Sequence, residues 1–167
     1  MTLDAWLQQI WYGGRPAPWW LRALSPLYGR VVHLRRWLYA RGVLATVRVA
    51  APVIVVGNIT AGGTGKTPLV IWLADRLTAL GLSVAVVSRG YGRRERGAVT
   101  RVLATSSADQ VGDEALLISR RARCPVYVGR DRVAAAQGAI AAGAGVVIAD
   151  DGLQHLQLAR DAEIALI

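Results

Sequence analysis

One segment constrains this chain more than any other: Thr60-Ala61-Gly62-Gly63-Thr64-Gly65-Lys66-Thr67, set between an apolar run and a helical pattern. Val53-Ile54-Val55-Val56 reads as a short, fully apolar strand ending at Gly57. Beyond the glycines, Pro68 suits the first turn of a helix, Leu69, Leu73, Leu77 and Leu80 give it apolar positions, and Gly81 stops it. Strand, glycine-rich loop, Lys-Thr and helix in that order make a Walker A phosphate loop. Glycines let successive N–H groups converge on phosphate oxygens with no Cβ in the way. The helix N-terminus adds partial positive charge, Lys66 reaches the β and γ oxygens, and the Thr67 hydroxyl is placed to ligate Mg²⁺. Thr60 stands where the usual pattern opens with glycine, a mild departure because Gly62 and Gly63 supply flexibility inside the loop. Residues 60–67 are therefore expected to hold the phosphates of ATP or GTP.

The charge inventory points the same way. Of the 20 basic residues, 19 are Arg, and the one Lys is Lys66. A compact ammonium is what a phosphate loop uses, and a planar guanidinium would be a different tool.

From about Val49 onward, strand and helix patterns alternate, which predicts a parallel α/β sheet with flanking helices in the manner of P-loop NTPases. Strands are expected at Leu82–Val87, Val99–Ala104, Val126–Val128, Val146–Ala149 and Glu163–Ile167, and helices at Asp113–Arg123 and Arg132–Ala142. In such folds a carboxylate at the end of a neighbouring strand holds the metal shell. The run Val146 to Ala149 leads directly into Asp150-Asp151. Two adjacent carboxylates repel unless Mg²⁺ or hydrogen bonds offset the charge, and alternation along a strand turns only one of them to the metal. A helix N-cap role for either Asp is the other reading. His155 lies four residues beyond Asp151, close enough to approach the same site or to serve as a structural hydrogen-bonder. Asp113 opens a helix after Gly112, where either capping or catalysis explains an acid.

The chain's formal charge of +9 is unevenly spread. Residues 1–48 hold seven Arg against Asp4 alone and five of the six Trp, whereas residues 49–167 hold 13 basic and 10 acidic residues. Two regions follow: an amphipathic helical arm over 1–48 and a P-loop domain over 49–167. Leu3, Trp6, Leu7, Ile10 and Trp11 fall on one helical face, and after a Pro/Gly break at 13–18 a second stretch carries Leu27, Val31, Leu34 and Leu38. Trp and Arg around an apolar stripe suit an anionic membrane surface; packing onto the α/β domain is the alternative. Basic charge alone is weak support for nucleic-acid binding, and Trp among apolar residues favours lipid over base stacking. No run reaches the length of a spanning helix, and the start lacks the basic, then apolar, layout of a signal peptide. One Cys, Cys124, excludes an intramolecular disulfide and reads as a buried thiol. The apolar strand at the end predicts either the N-terminal part of a longer protein or an edge strand that closes the domain.

Taken together, Asn58 to Pro68, Ser88 to Arg93, Val111 to Glu114, Gly129 to Arg132 and Asp150 to His155 resemble one family, the tetraacyldisaccharide 4′-kinases of lipid A biosynthesis. Leu24 to Gly29 and Arg35 to Tyr39 also resemble that family's N-terminus, so the resemblance covers essentially the whole chain. It implies transfer of the ATP γ-phosphoryl group to the 4′-hydroxyl of a tetraacylated glucosamine disaccharide 1-phosphate, giving lipid IVA, at the cytoplasmic face of the bacterial inner membrane. Asp113 would be the catalytic carboxylate, Asp150 and Asp151 the Walker B-like pair, His155 the adjacent site histidine, and Thr67 with Asp150 the metal ligands. Arg89, Tyr91, Arg93, Arg130 and Arg132 would contact phosphates or the anionic sugar. The family's catalytic Asp works with a His from a C-terminal half that these residues do not include, which implies nucleotide binding with little or no transfer by this chain alone. A membrane-associated P-loop ATPase switch is the competing reading; such proteins often carry Lys where this chain has Ala61.

Overall fold

The computed structural model describes residues 10, 13–14, 16–59, 65–93 and 99–167. The amphipathic stretch expected from Leu3 to Trp11, Ile10 excepted, and the loop residues Thr60, Ala61, Gly62, Gly63 and Thr64 lie outside the described residues. The chain divides into two compact units, Met1–Leu44 and Ala45–Ile167.

In the first unit, helix α1 (Trp19–Ala40) begins directly after Pro18 and continues through Pro26. It ends where Arg41 and Gly42 donate backbone N–H groups to Trp37 O and Tyr39 O. Trp20, Leu24, Leu27, Val31, Leu34 and Leu38 recur in alternating steps of four and three, so they share one stripe. Trp19 and Trp37 border that stripe on one side, Tyr28 and Tyr39 on the other. No residue of α1 is buried.

The second unit is a six-stranded sheet of β1 (Val53–Asn58), β2 (Val84–Ser88), β3 (Thr100–Arg101), β4 (Val126–Val128), β5 (Val146–Asp150) and β6 (Ala162–Leu166). Their spatial order is β3-β4-β2-β5-β1-β6, with every pair parallel except the antiparallel β3–β4 edge. The connections supply α2 (Lys66–Ala79), α3 (Ala108–Val111), α4 (Asp113–Arg121) and α5 (Arg132–Ala141). Strands buried on both faces are written as continuous apolar runs, which is why Val53–Val56 and Val146–Ala149 lack polar alternation. On one face Val56, Val84, Val86 and Ile148 meet Val70 and Ala74 of α2 and Ala115 and Ile118 of α4. On the other, Val53, Val55, Ala85, Val87, Val147 and Ala149 meet Val133, Ala136 and Ala139 of α5 and the isolated Leu158.

Element ends shift by one or two residues at β2, α5 and β6, and three elements differ further from expectation. The stretch Val99–Ala104 contributes only the two-residue β3. The expected helix to Arg123 stops at Arg121, because Ala122 turns to extended backbone at φ −80° and ψ 140°. In α2 the buried positions are Val70 and Ala74, with Leu69, Leu73 and Leu77 beside them and Leu80 left 76% exposed. The apolar face of α2 is thus broader than its leucines, and its centre is carried by smaller residues that let the helix approach the sheet.

Residues 46–48, which the composition shift assigns to the arm, are bonded to the segment after β5. Thr46 Oγ1 donates to Leu156 O, Val47 N to Gln157 O and Ala159 N to Val47 O. Asp161 then closes the collar: its Oδ2 accepts from Val53 N at 2.9 Å and its Oδ1 from Arg48 Nη1 at 2.8 Å. These bonds, that from Val53 foremost, hold the Asp161 carboxyl below the usual carboxylate range. A depressed acid adds stability above its unfolded pKa and loses it as pH falls through the folded value. Asp161→Asn is therefore expected to lower the melting temperature at pH 7. The deficit should shrink toward zero as wild type and variant are melted at successively lower pH below about 4.

Candidate functional site

Because β5 lies between β1 and β2, three polar residues reach the same edge of the sheet at the C-terminal strand ends: Asn58, Ser88 and Asp150. In open α/β sheets this edge is where ligands bind. The chain leaves β1 at Asn58 and re-enters as α2, whose N-cap Gly65 adopts φ +76°. No acidic residue stands in the first turn of α2, so its N-terminal N–H groups keep their positive field for a ligand. Lys66 opens the helix with its Nζ 2.9 Å from Asp151 Oδ1 and 3.3 Å from Asn58 Oδ1. Asp151 holds a left-handed backbone at φ +55°, which turns the chain sharply out of β5. Its side chain is 59% exposed, so the ion pair with Lys66 contributes on the order of 1 kcal/mol or less.

Asp150 is the opposite case. It is 1% exposed, and Ser88 Oγ donates to its Oδ2 at 3.1 Å. Its Oδ1 has no hydrogen-bond partner among the described residues. Burial pushes the Asp150 carboxyl up; the Ser88 bond opposes that, Glu114 and Asp151 add to it, and Lys66 draws it back. A buried carboxylate oxygen left unpaired costs roughly 1–3 kcal/mol, which a cation or a donor brought by a ligand would relieve.

Beneath Asp150 sits Arg132, 4% exposed, at the start of α5. Its Nη1 donates to Gly129 O at 3.1 Å and its Nη2 to Asp150 O at 3.0 Å. Burial lowers its pKa to about 10, with Asp150 and Asp151 holding it up, so the guanidinium stays charged at neutral pH. Arg93 is likewise buried, its Nη1 3.5 Å from Val128 O. Arg132 and Arg93 thus donate to main-chain carbonyls, while Arg89, Tyr91 and Arg130 are exposed. Arg89, Gly90, Tyr91, Gly92, Arg93 and Arg130 line a cavity of about 350 Å³.

Asp113 and Glu114 begin α4, and a close backbone approach carries them to this loop. Gly112 has φ +89°, and a Cβ on it would stand 2.5 Å from Tyr91 O. Glu114 is near enough to act through space on Asp150. His155 is half-buried in the loop after β5, its backbone N donating to Gly152 O. Lys66, Asp150 and Asp151 are therefore brought together, with Arg132 below, Glu114 within electrostatic reach and the arginine-lined cavity beside the β2 end. Thr67 follows Lys66 in the first turn of α2.

Ser88, Asn58, Glu114 and Arg160 take parts that the sequence did not assign them. Asn58 and Glu114 fell within the segments that carry the family resemblance but were given no role of their own. Ser88 spends its hydroxyl on Asp150 and so orients a carboxylate. Arg160 carried no signal, being one Arg among 19. Cys124 is half-buried, its thiol pushed up to about 11 by burial and by Asp75, and so remains protonated. Among the described residues no group of three or more His, Cys, Asp or Glu side chains is arranged to hold a metal alone.

Comparison with known proteins matches residues 17–167 to the family model described as tetraacyldisaccharide-1-P 4′-kinase. A tetraacyldisaccharide 4′-kinase of Alkalilimnicola ehrlichii is 54% identical over 155 residues, 91% of this chain and 47% of the relative. One from Herminiimonas arsenicoxydans is 50% identical over 167 residues, 99% of this chain and 47% of the relative. The crystal structure of LpxK from Aquifex aeolicus, described as an "apo" form in complex with ATP, superposes with a TM-score of 0.79 at 35% identity, covering 87% of this chain and 48% of that one. The chain spans about half the length of the curated relatives it matches. With the phosphate loop, the strand-end carboxylates and the family model in agreement, the chain belongs to the tetraacyldisaccharide-1-P 4′-kinase family.

Proposed function

We propose that this chain is the nucleotide-binding part of an ATP-dependent kinase that phosphorylates the 4′-hydroxyl of a tetraacyldisaccharide 1-phosphate to give lipid IVA. The observation that carries the reading is the meeting of Lys66 with Asp151 beside the buried, half-satisfied Asp150 at the ends of β1 and β5. Phosphoryl transfer asks a protein for positioning and charge neutralisation more than for covalent chemistry. In the transfer a bond forms between the 4′-oxygen and the γ-phosphorus, the bond to the β,γ-bridging oxygen breaks, and ADP leaves.

Each residue has a part in that exchange. Lys66 trades its weak, exposed partner Asp151 for phosphate oxygens as nucleotide binds, and the residues from Thr60 to Gly65 supply backbone N–H groups. Thr67 and Asp150 would hold Mg²⁺; the unpaired Oδ1 of a buried carboxylate fits a hard cation, which supplies neutralisation of charge on the transferring phosphate. Asp113 takes the proton from the sugar hydroxyl, and His155 stands by the Asp151 side. Arg89, Tyr91 and Arg130 receive the anionic sugar at the cavity mouth. Arg93 lines that cavity while bonded to Val128 O, and Arg132, bonded to the carbonyls of Gly129 and Asp150, adds positive field.

The acceptor's four acyl chains keep it in a bilayer, so the enzyme works at the cytoplasmic face of the inner membrane as a peripheral protein. The arm over residues 1–48 supplies the attachment and the domain over 49–167 the chemistry. Supporting this, the stripe of α1 is solvent-exposed, with Leu24, Leu27, Val31 and Leu34 each more than half exposed, and aromatics border it. Among the described residues no helix is long and apolar enough to cross a membrane. An interfacial helix of this kind gains about 1 kcal/mol per Arg near an anionic leaflet, and salt weakens it.

Three outcomes are expected. In mixed micelles with radiolabelled ATP and the tetraacyl disaccharide 1-phosphate, a full-length form transfers phosphate, and Lys66→Ala or Asp113→Ala lowers turnover at least about 100-fold. ATP hydrolysis without lipid transfer would instead favour an ATPase switch. Deleting residues 1–40 should abolish salt-sensitive retention on anionic liposomes; unchanged retention would remove the membrane role. Asp150→Asn should be inactive yet melt a few degrees higher at pH 7. A raised acid stabilises the fold below its unfolded pKa and loses that contribution as pH rises through the folded one, so this gain should vanish near pH 4.

A further inference from the structure

The loop between β5 and β6 carries Asp151 and His155, and one side chain ties it down. Arg160 is only 13% exposed. Its Nη2 donates to His155 O at 2.7 Å, and its Nη1 to Leu153 O at 3.3 Å and to Glu163 Oε1 at 2.7 Å. Glu163 lies on β6 in register with Val55 of β1, the strand that leads into the phosphate loop. The guanidinium therefore bridges the loop's main chain to the sheet that supports the nucleotide end of the site. Both ends of the loop are already fixed. Leu153 packs so closely on Gly57 that a Cβ there would meet its Cγ at 2.6 Å, and Leu158 is buried beside the 46–48 collar. Between those anchors Thr46 and Val47 bond the carbonyls of Leu156 and Gln157, and Arg160 bonds that of His155. Arg suits the task because its planar fork serves several acceptors at once, whereas a Lys ammonium on a flexible stem does not fix their relative placement.

We propose that Arg160 is a positioning residue for Asp151 and His155, acting through the carbonyls of Leu153 and His155. The inference rests on the kinase reading for its consequence in turnover, but the placement itself can be read without catalysis. The chain has two histidines, His33 and His155, so selective ¹⁵N-histidine labelling yields one imidazole in the site and one outside it as an internal control. In this chain, Arg160→Ala should shift and broaden the His155 imidazole signals while leaving those of His33 in place. Arg160→Lys, which keeps the charge, should give a smaller change of the same kind. Guanidinium chloride at low millimolar concentration should move the Ala variant's His155 signals back toward wild type.

In the full-length enzyme Arg160→Ala should lower kcat about 10- to 100-fold with KM for ATP changed much less, and Arg160→Lys should recover part of the loss. Should the Ala variant fail to fold, the Lys variant carries the same comparison. Unmoved His155 signals in a folded Arg160 variant would overturn the proposal, as would a loss confined to KM for ATP. Moved His155 signals in a protein whose wild type transfers no phosphate would leave the positioning intact and overturn the kinase reading instead.

Discussion

Everything at the candidate site depends on one carboxyl, Asp150, being delivered almost fully buried to the edge of the sheet, where burial favours its neutral form while Ser88 and Lys66 favour the charged one. The strand before it is apolar on both faces because helices cover both faces, and that arrangement delivers a carboxylate to the edge almost fully desolvated. Ser88 answers one oxygen, Lys66 acts on the charge through space, and Arg132 binds the Asp150 main-chain carbonyl, while the other carboxylate oxygen has no partner among the described residues. A hydrogen-bonded buried charge is tolerable; one left half-answered is a standing cost that binding can remove. The site is thus built so that stability of the free protein and affinity for a cationic partner pull in opposite directions.

The surrounding loops follow from that constraint. The turn out of β5 must be abrupt, and Asp151 takes the left-handed conformation that makes it so. The same turn aims its carboxylate at Lys66, giving the lysine a provisional partner that is exposed and easily given up. On the other side, the bare backbone at Gly112 lets α4 touch the loop after β2, which places two more acids near the phosphate end without bringing them into contact with Asp150.

The sheet was largely legible in the sequence because its strands are short apolar runs bounded by glycine and polar residues, a pattern set by burial on both faces. Val53–Val56, Val126–Val128 and Val146–Ala149 could hardly be anything else. β3 was harder: a two-residue edge pairing is decided by what its neighbour offers, and Val99–Ala104 carries no sign of how little would pair. In α2, Leu69, Leu73 and Leu77 pack beside the core as their spacing suggested, but close approach to the sheet gives its centre to the smaller Val70 and Ala74 and leaves Leu80 outside. Within the site, Lys66, Asp150 and Asp151 announced themselves by spacing. The division of the arginines did not: Arg93 and Arg132 are buried and carbonyl-bonded while Arg89 and Arg130 face outward, a difference set by tertiary position alone. Arg160 was invisible for the same reason.

The isolation of Lys66 has a consequence for how the protein can be handled chemically. An Arg-rich chain with a single ε-amine presents amine-directed reagents with one side-chain target, placed at the first residue of α2. That side chain is 15% exposed and its Nζ is held between Asn58 and Asp151, so a reagent must displace these contacts to reach it. Within this chain the extent of side-chain acylation then reports whether Lys66 is covered, read on the intact mass without any engineered label.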